Sequence, residues 1–212
     1  SHWITVARRR APKGQYLALA ADVEGKVPAA PMLAGLPDCM ALLVPGLTDP
    51  FETVFAQAMW LKTWFGTERA RLAVELQLTP HDAQLLDTVQ RVAALTGLAL
   101  VAAGGVLMHA RSRKPLQDAL VATRLKLPVA EAGHALAPNA EAHLRARARL
   151  AQLYPREWLD ATLEVAGRCA FSLDELRYEY PREIVPEGHT PSSWLRALTE
   201  EGARKRFADG VP

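Results

Sequence analysis

The sequence predicts an α/β fold with a parallel βαβαβ core in its first half and a helical second half. Three short apolar runs, at residues 41–44, 72–78 and 98–103, have the length and composition of strands. Between them lie two segments whose apolar residues recur at helical spacing. Because the joints between these segments are short, we expect parallel strands connected by right-handed crossovers.

Proline and glycine mark the boundaries of the first strand and the first long helix. The run Ala41–Val44 ends at a Pro-Gly pair, and Thr48-Asp49-Pro50 then predicts a helix start, with Pro50 suited to the first helical position. Gly66 can close this helix, since glycine tolerates the left-handed conformation that is common at helix ends.

The second strand is predicted from its alternating polarity. Leucine and valine alternate along residues 72–78 with smaller or polar residues, which predicts one apolar face and one face that carries Glu75 and Gln77. The sequence Thr-Pro-His-Asp then predicts a second helix, which we expect to stop at Gly97. The third run, Leu98–Ala103, is apolar enough to be buried on both faces.

The second half of the chain reads as helices separated by a loop. We expect a loop over residues 128–139 and an extended connector broken by Pro181 and Pro186. The density of proline and glycine near 181–191 marks the best domain boundary. The predicted helices cover residues 114–127, 143–153, 156–169 and a last segment from Thr190 to Phe207.

Composition favours an ordinary soluble globular protein. Half of the residues are hydrophobic, 23% are charged and the formal net charge is +2, which excludes a polycation that coats nucleic acid. The apolar runs are too short for a membrane span and no export leader opens the chain, so we expect a cytoplasmic location. Cys39 and Cys169 are expected to be buried free thiols, with a disulfide or a metal site as the open alternatives.

Chemistry is expected where the parallel strands end, because ligands in such folds bind at the carboxyl ends of the strands. Glu75 and His109 are the candidate ligands there. Two ligands do not hold a catalytic metal. Glu75 paired with an arginine or simply hydrated, and a partly exposed His109 bonded to backbone, remain open alternatives.

A basic cluster follows the third strand. Arg111, Arg113 and Lys114 pack three cations into a loop and a helix start, and a second cluster alternates Arg145, Arg147 and Arg149 with alanine. Such clusters can contact phosphate, although a solvated charged face is the commoner explanation. No aromatic residues lie between these cations, so stacking on single-stranded bases is not indicated.

Several long stretches resemble the error-prone subgroup of bacterial C-family DNA polymerases, the DNA polymerase III alpha-subunit type. The most specific is FSLDELRYEYPREIVPEGHTPSSWLRALTEEGARKRF at 171–207. The others are SRKPLQDALVATRL at 112–125, AEAGHALAPNAEAHLRARARLAQLYP at 130–155 and ITVARRRAPKGQY at 4–16. These stretches span nearly the whole chain in the order of the family.

The resemblance implies a partial PHP domain, which in this family is an irregular α/β barrel. Residues 1–110 would be its α/β part, 111–180 its helical remainder and 181–212 a junction toward the palm. The HxH metal-binding segment on the opening strand of the family would be absent, and the palm with its magnesium-binding aspartates would lie beyond residue 212. We therefore expect no catalytic residue in the chain, with magnesium implied only for the parent polymerase.

The departures from the family's pattern fall on positions that would hold a metal. Relatives typically have an aspartate where this chain has Gly105, and histidines where it has Leu107 and Gln77. Glycine and leucine offer no ligand atom in their side chains, and glutamine is a poor substitute for imidazole. We expect a vestigial site without a metal or other cofactor, formed by Glu75, Gln77, Gly105, Leu107 and His109.

Three functions follow from these observations. The first is a non-catalytic structural module of an error-prone, translesion DNA polymerase, and the second is a metal-dependent phosphoesterase or proofreading nuclease. The third is an independent interaction protein. Through the parent enzyme the expected partners are DNA, deoxynucleotides and other translesion or replication proteins, and no membrane is expected. A barrel cut partway would expose strand edges, so self-association is also expected.

Overall fold

The computed structural model describes residues 2–172, 174 and 185–207. The chain divides into two compact units, Ser1–Cys169 and Ala170–Pro212. Most of the predicted connector, including the break at Pro181, lies outside the described residues.

A parallel sheet forms the centre of the first unit, as predicted. Its described strands are β1 (Ala41–Leu43), β2 (Ala70–Glu75) and β3 (Ala99–Ala103), in the order β1-β2-β3. Both pairings are parallel, and Leu72 lies opposite Leu43 on one side and Leu100 on the other. The α/β class and the parallel core are therefore confirmed, while the barrel stays a prediction.

The predicted burial of β3 was wrong, and β2 is buried more completely than its alternation predicts. We expected β2 to have one apolar face, yet Arg71, Leu72, Ala73 and Val74 are all buried on this central strand. The strand also stops at Glu75, before the end of the predicted run, and Leu78 is exposed with a φ of 51°. Conversely, β3 was expected to be buried on both faces, but it lies at the edge of the described sheet.

Two long helices connect the strands and follow the predicted boundaries closely. The first, α3 (Phe51–Arg69), begins directly after Pro50 and is interrupted at Gly66, whose φ of 66° is not helical. The second, α4 (Asp82–Thr96), ends at Gly97 in the left-handed conformation. The carboxylate of Asp82 accepts the backbone N–H of Leu78 at 2.8 Å, which fixes the turn that leads into α4.

Two apolar clusters pack around the sheet. Burial of each large side chain contributes on the order of 1.5–3 kcal/mol relative to exposure. The larger cluster joins α3 to the sheet through Val54, Ala58, Leu61, Phe65, Leu72, Val92 and Leu98, and the smaller joins α4 to later helices through Val74, Leu76, Leu85, Val89, Tyr154 and Trp158.

A buried aspartate organises the N-terminal segment, a feature that the sequence did not reveal. Helices α1 (His2–Arg9) and α2 (Ala20–Val23) meet at Asp22, whose side chain is fully buried. Its carboxylate accepts hydrogen bonds from Trp3 Nε1 at 2.9 Å, Arg10 Nη1 at 2.6 Å and the backbone N–H of Leu19 at 3.1 Å. The Arg10 guanidinium is the main reason that the pKa of Asp22 falls to about 2.

The helices after the sheet are α5 (Lys114–Leu125), α6 (Arg147–Leu153) and α7 (Arg156–Arg168). The helix predicted over 143–153 is shorter than expected because residues 142–144 pair with the segment after β3. Leu107 N–H donates to the Ala142 carbonyl at 2.9 Å, and Leu144 N–H donates to the Met108 carbonyl at 3.1 Å. The predicted loop over 128–139 contains two short 3-10 turns.

The second unit contains α8 (Pro191–Arg206), which begins as predicted. Thr190 is its N-cap, and the Thr190 hydroxyl accepts the backbone N–H of Ser193 at 3.2 Å. None of the helices in the described part of the chain is long and apolar enough to cross a membrane.

The expected burial of the two cysteines was wrong. Cys39 and Cys169 are free thiols, as expected, but both are exposed. Cys39 lies in the loop before β1 and Cys169 caps the end of α7, so neither occupies the interior of an element that faces the core.

Candidate functional site

A cavity of about 380 Å³ opens at the carboxyl ends of the three strands. This is the edge of a parallel sheet where α/β proteins commonly bind ligands. The lining residues come from the loop after β1, the end of β2, the loop after β3 and the segment before α6: Val44, Pro45, Gly46, Leu47, Glu75, Gln77, Thr79, Gly105, Leu107, Ala137, Pro138, Asn139 and Ala142.

Glu75 and Gln77 bring the polar side chains of the β2 end into this cavity. Both residues are half-buried. The amide nitrogen of Gln77 donates to the Gly104 carbonyl at 3.0 Å, which ties the end of β2 to the loop after β3. The Glu75 carboxylate forms no hydrogen bond or ion pair within the described residues, and the arginine partner considered from sequence is not found there.

Gly105 lies directly against these two side chains. Its φ is +52°, and a Cβ atom at this position would be 2.5 Å from Glu75 Oε2 and 3.0 Å from Gln77 Nε2. The structure therefore brings together four of the five positions named from sequence, because Leu107 lines the same cavity. His109 is exposed and does not line it.

Asn139 supports the cavity from the far side, and no sequence signal pointed to it. Its amide nitrogen donates to the backbone carbonyl of Gln77 at 2.8 Å, and its Oδ1 accepts the backbone N–H of Glu141 at 2.9 Å. Asn139 thus fixes the segment before α6 against the end of β2.

The donor set around the cavity does not fit the metal centre that the family resemblance implies. A catalytic metal needs about three protein ligands, whereas the cavity offers one carboxylate, from Glu75, with the carboxamides of Gln77 and Asn139 and the hydroxyl of Thr79. Both polar atoms of the Asn139 side chain already bond to backbone groups. Among the described residues, no group of three or more histidine, cysteine, aspartate and glutamate side chains could hold a metal ion.

A tyrosine and an arginine from the later segments clamp the ends of β2 and β3. The Tyr154 hydroxyl accepts the Leu76 N–H at 3.0 Å and donates to the Ala103 carbonyl at 2.8 Å. Arg145 Nη2 donates to the Leu76 carbonyl at 2.8 Å, and only 2% of the Arg145 side chain is exposed. Burial raises the pKa of Tyr154, so its hydroxyl stays protonated at neutral pH.

The basic cluster is largely neutralised by neighbouring carboxylates. Arg111 Nη2 lies 2.7 Å from Glu141 Oε1, and Lys114 Nζ lies 2.7 Å from Asp118 Oδ1. Arg113 is exposed and forms no ion pair within the described residues. Of the three cations predicted to contact DNA, Arg113 is therefore the one whose charge is not already shared.

Comparison with known proteins shows that the chain is similar to error-prone DNA polymerases of several bacteria. The chain is 51% identical over 209 residues to the error-prone DNA polymerase of Dechloromonas aromatica (strain RCB), a match that covers 99% of this chain. It is 47% identical over 212 residues to that of Burkholderia mallei (strain ATCC 23344) and 48% identical over 208 residues to that of Bordetella parapertussis (strain 12822 / ATCC BAA-587 / NCTC 13253), with 100% and 98% of the chain covered. This chain is a homologue of one segment of the error-prone DNA polymerases.

The segment is a minor part of those enzymes. The chain spans about 20% of the length of each of these three error-prone DNA polymerases. No protein-family model matches the chain. The resemblance inferred from residues 4–16, 112–125, 130–155 and 171–207 is confirmed at the level of the polymerase family, while the assignment to a PHP domain stays a prediction.

Proposed function

We propose that this chain is a structural, non-catalytic PHP module of an error-prone DNA polymerase that copies damaged templates. The observation that carries the proposal is the position of Gly105 against Glu75 and Gln77. The family resemblance implies an aspartate ligand at Gly105 and a histidine ligand at Gln77. The side chains of Glu75 and Gln77 still converge on this position, but Gly105 offers no side-chain ligand atom and Gln77 offers a carboxamide in place of an imidazole.

The clamp at the strand ends supports a mechanical role. Tyr154 and Arg145 together occupy three backbone groups at the ends of β2 and β3. In this chain they hold the later helices against the sheet, as expected of a domain that supports a larger body.

The alternative function, a metal-dependent phosphoesterase or proofreading nuclease, is less well supported. A phosphoester substrate is anionic and needs cations or a metal to bind it. No lysine, arginine or histidine is present among the described residues that line the cavity. The cavity carries the negative charge of Glu75 instead, which repels phosphate.

The remaining parts of the proposal concern the whole polymerase. Nucleotidyl transfer would take place in a palm outside this chain, where aspartates hold magnesium to activate the primer hydroxyl. DNA and deoxynucleotides would bind through the whole polymerase in the cytoplasm, with other translesion or replication proteins as possible partners. Within the predicted basic cluster, Arg113 is the cation that would reach a phosphate, since Arg111 and Lys114 pair with carboxylates.

The proposal is tested by metal content and by phosphoester hydrolysis. The 212-residue chain, dialysed against zinc or manganese, is expected to retain less than one metal per chain and to leave p-nitrophenyl phosphate intact. Stoichiometric metal that is lost in Glu75→Gln but retained in the exposed control Glu157→Gln would contradict the proposal. The flanking gene should also continue in frame into a polymerase, and a stop codon directly after Pro212 would contradict the polymerase assignment.

A further inference from the structure

We infer that the cavity at the strand ends binds a small organic cation, a primary ammonium carried on a short aliphatic body. The inference concerns the same cavity as the proposed function but goes beyond it, because a module without a metal need not bind any ligand. It rests on the charge, the polar groups and the apolar walls of the cavity.

The charge of the cavity comes from one side chain. Glu75 is the single ionisable residue among those that line it, and its carboxylate is half-buried with no hydrogen bond or ion pair in the described part of the chain. A partly buried carboxylate without a partner loses hydration without compensation. A ligand ammonium would restore that compensation through a charge-assisted hydrogen bond.

The uncharged polar groups also favour a ligand that donates hydrogen bonds. Gln77 turns its amide nitrogen to the Gly104 carbonyl, which leaves Oε1 free to accept. The Thr79 hydroxyl gives its proton to Asp82 Oδ1 at 2.7 Å, so its oxygen is likewise left as an acceptor. An ammonium has three donors and no acceptor, and it matches this arrangement better than a hydroxyl, a carboxylate or a phosphate.

The absence of a side chain at Gly105 gives the Glu75 carboxylate its place beside the cavity. A Cβ at this position would lie 2.5 Å from Glu75 Oε2, so any other residue would crowd the carboxylate or displace it. With glycine, the carboxylate of Glu75 can lie against the backbone at this point. A position that would belong to a metal ligand in the family is thus taken up by the acid group itself.

Apolar residues form most of the remaining wall and would contact the aliphatic part of the ligand. They include Val44, Pro45, Leu47, Leu107, Ala137, Pro138 and Ala142. A cavity of about 380 Å³ falls within the range that accommodates small ligands, and apolar walls with a few polar groups are typical of such sites. The aliphatic chain of an amine would lie against these residues while its ammonium contacts Glu75.

The test uses three probes with the same alkyl group. n-Butylammonium, n-butanol and n-butyl phosphate are titrated separately into the 212-residue chain, and backbone amide resonances are followed by NMR. We expect n-butylammonium to shift the amides of Gln77, Gly105 and Leu107 in a saturable manner. n-Butanol should bind more weakly and n-butyl phosphate should leave these resonances unchanged.

Two variants separate the carboxylate from the cavity walls. Glu75→Gln should weaken n-butylammonium binding by about tenfold or more, because a charge-assisted hydrogen bond is lost, while the control Glu157→Gln should bind as the unmodified chain does. Ala137→Phe fills the cavity, keeps the carboxylate and should also weaken binding. Spectra with native dispersion establish that each variant is folded.

The outcomes distinguish this inference from the proposed function. No saturable shift at Gly105 and Leu107, equal affinity in Glu75→Gln, or a phosphate probe that binds as well as the ammonium would overturn the organic-cation site and leave the structural module standing. Stoichiometric manganese that broadens the Gly105 resonance and competes with the ammonium would overturn both.

Discussion

The hydroxyl of Tyr154 receives the backbone N–H of Leu76 at 3.0 Å, although 78 residues separate the two along the chain. The same hydroxyl donates to the Ala103 carbonyl at 2.8 Å. One side chain thereby satisfies two backbone groups, the Leu76 N–H just after β2 and the Ala103 carbonyl at the end of β3. These contacts join the ends of β2 and β3, beside the cavity, to the segment that follows α6.

The Tyr154 clamp predicts a loss of stability when the hydroxyl is removed. Tyr154→Phe should lower the free energy of unfolding by about 1–3 kcal/mol, because the buried Leu76 N–H loses its acceptor. Urea denaturation followed by circular dichroism measures this change. Tyr16→Phe is the matched control, since Tyr16 is 63% exposed; equal stability in both variants would show that the clamp contributes nothing.

The left-handed backbone at Gly105 predicts that a substitution there lowers the stability of the fold, and Gly133 serves as the control. Gly105→Ala should destabilise by about 1–2 kcal/mol from the left-handed backbone alone, and further from the contact of the new Cβ with Glu75. Gly133 has a similar φ of +49° but nothing within 4 Å of its Cβ position, so Gly133→Ala reports the backbone effect alone.

The difference between these two glycine variants isolates the Glu75 contact. In a Glu75→Ala background the extra cost of Gly105→Ala should disappear, as a double-mutant cycle would show. A cost at Gly105 that equals the cost at Gly133 would mean that the Glu75 carboxylate moves aside freely.

Asp22 predicts a pH dependence in acid. Its pKa is lowered from 3.8 to about 2 in the folded chain, chiefly by the hydrogen bond from Arg10. A lowered folded pKa stabilises the fold above the unfolded value, so this contribution is complete above about pH 4 and is lost as the pH falls toward about 2.

The measurement for Asp22 is the urea midpoint at a series of acid pH values. Asp22→Asn should lower the midpoint at neutral pH and flatten its decline between pH 4 and pH 2. Asp38→Asn, which removes an exposed carboxylate, should retain the slope of the unmodified chain. An unchanged slope in Asp22→Asn would contradict the assignment.

The basic cluster predicts unequal contributions to DNA binding. Arg113→Gln should weaken binding of a single-stranded oligonucleotide and reduce the salt slope of log K by about 0.7, the value for one phosphate contact. Arg111→Gln should have a smaller effect, because Arg111 already pairs with Glu141. Fluorescence anisotropy at several salt concentrations measures both, with Arg124→Gln as a control from the exposed surface of α5.

The same assay measures how a neighbouring carboxylate weakens the contribution of a paired cation to oligonucleotide binding. Asp118→Asn frees Lys114 and should strengthen binding. If Arg113→Gln binds the oligonucleotide as well as Arg124→Gln does, the cluster is a solvated surface and makes no phosphate contact.

The strand edges predict self-association of the isolated chain. β1 lies at one edge of the described sheet, and its Leu42 is 44% exposed. Multi-angle light scattering at high concentration should show dimers or larger species, and Leu42→Lys should reduce them because a charge on an edge strand opposes pairing. Leu95→Lys changes a residue on α4 that is 66% exposed and should have no effect. A chain that stays monomeric at high concentration would contradict this expectation.

The sequence by itself determined the local elements and the family. Proline and glycine at Pro50 and Gly97 set helix ends through their own backbone preferences, which need no distant partner. The alternation of strands and helices likewise implied parallel pairing, because the joints are too short for other arrangements. The positions that depart from the family pattern were also visible, since they depend only on residue identity.

Only the tertiary structure decided which strand residues are buried and which distant side chains contact one another. The central position of β2 buried Arg71 and Ala73 despite the alternating polarity of that strand, whereas the more continuously apolar β3 is only partly buried. The pairing of Arg111 with Glu141, and the clamp of Tyr154 on Leu76, join residues 30 and 78 positions apart along the chain. Such contacts follow from the packing of whole elements, so no local pattern of residues encodes them.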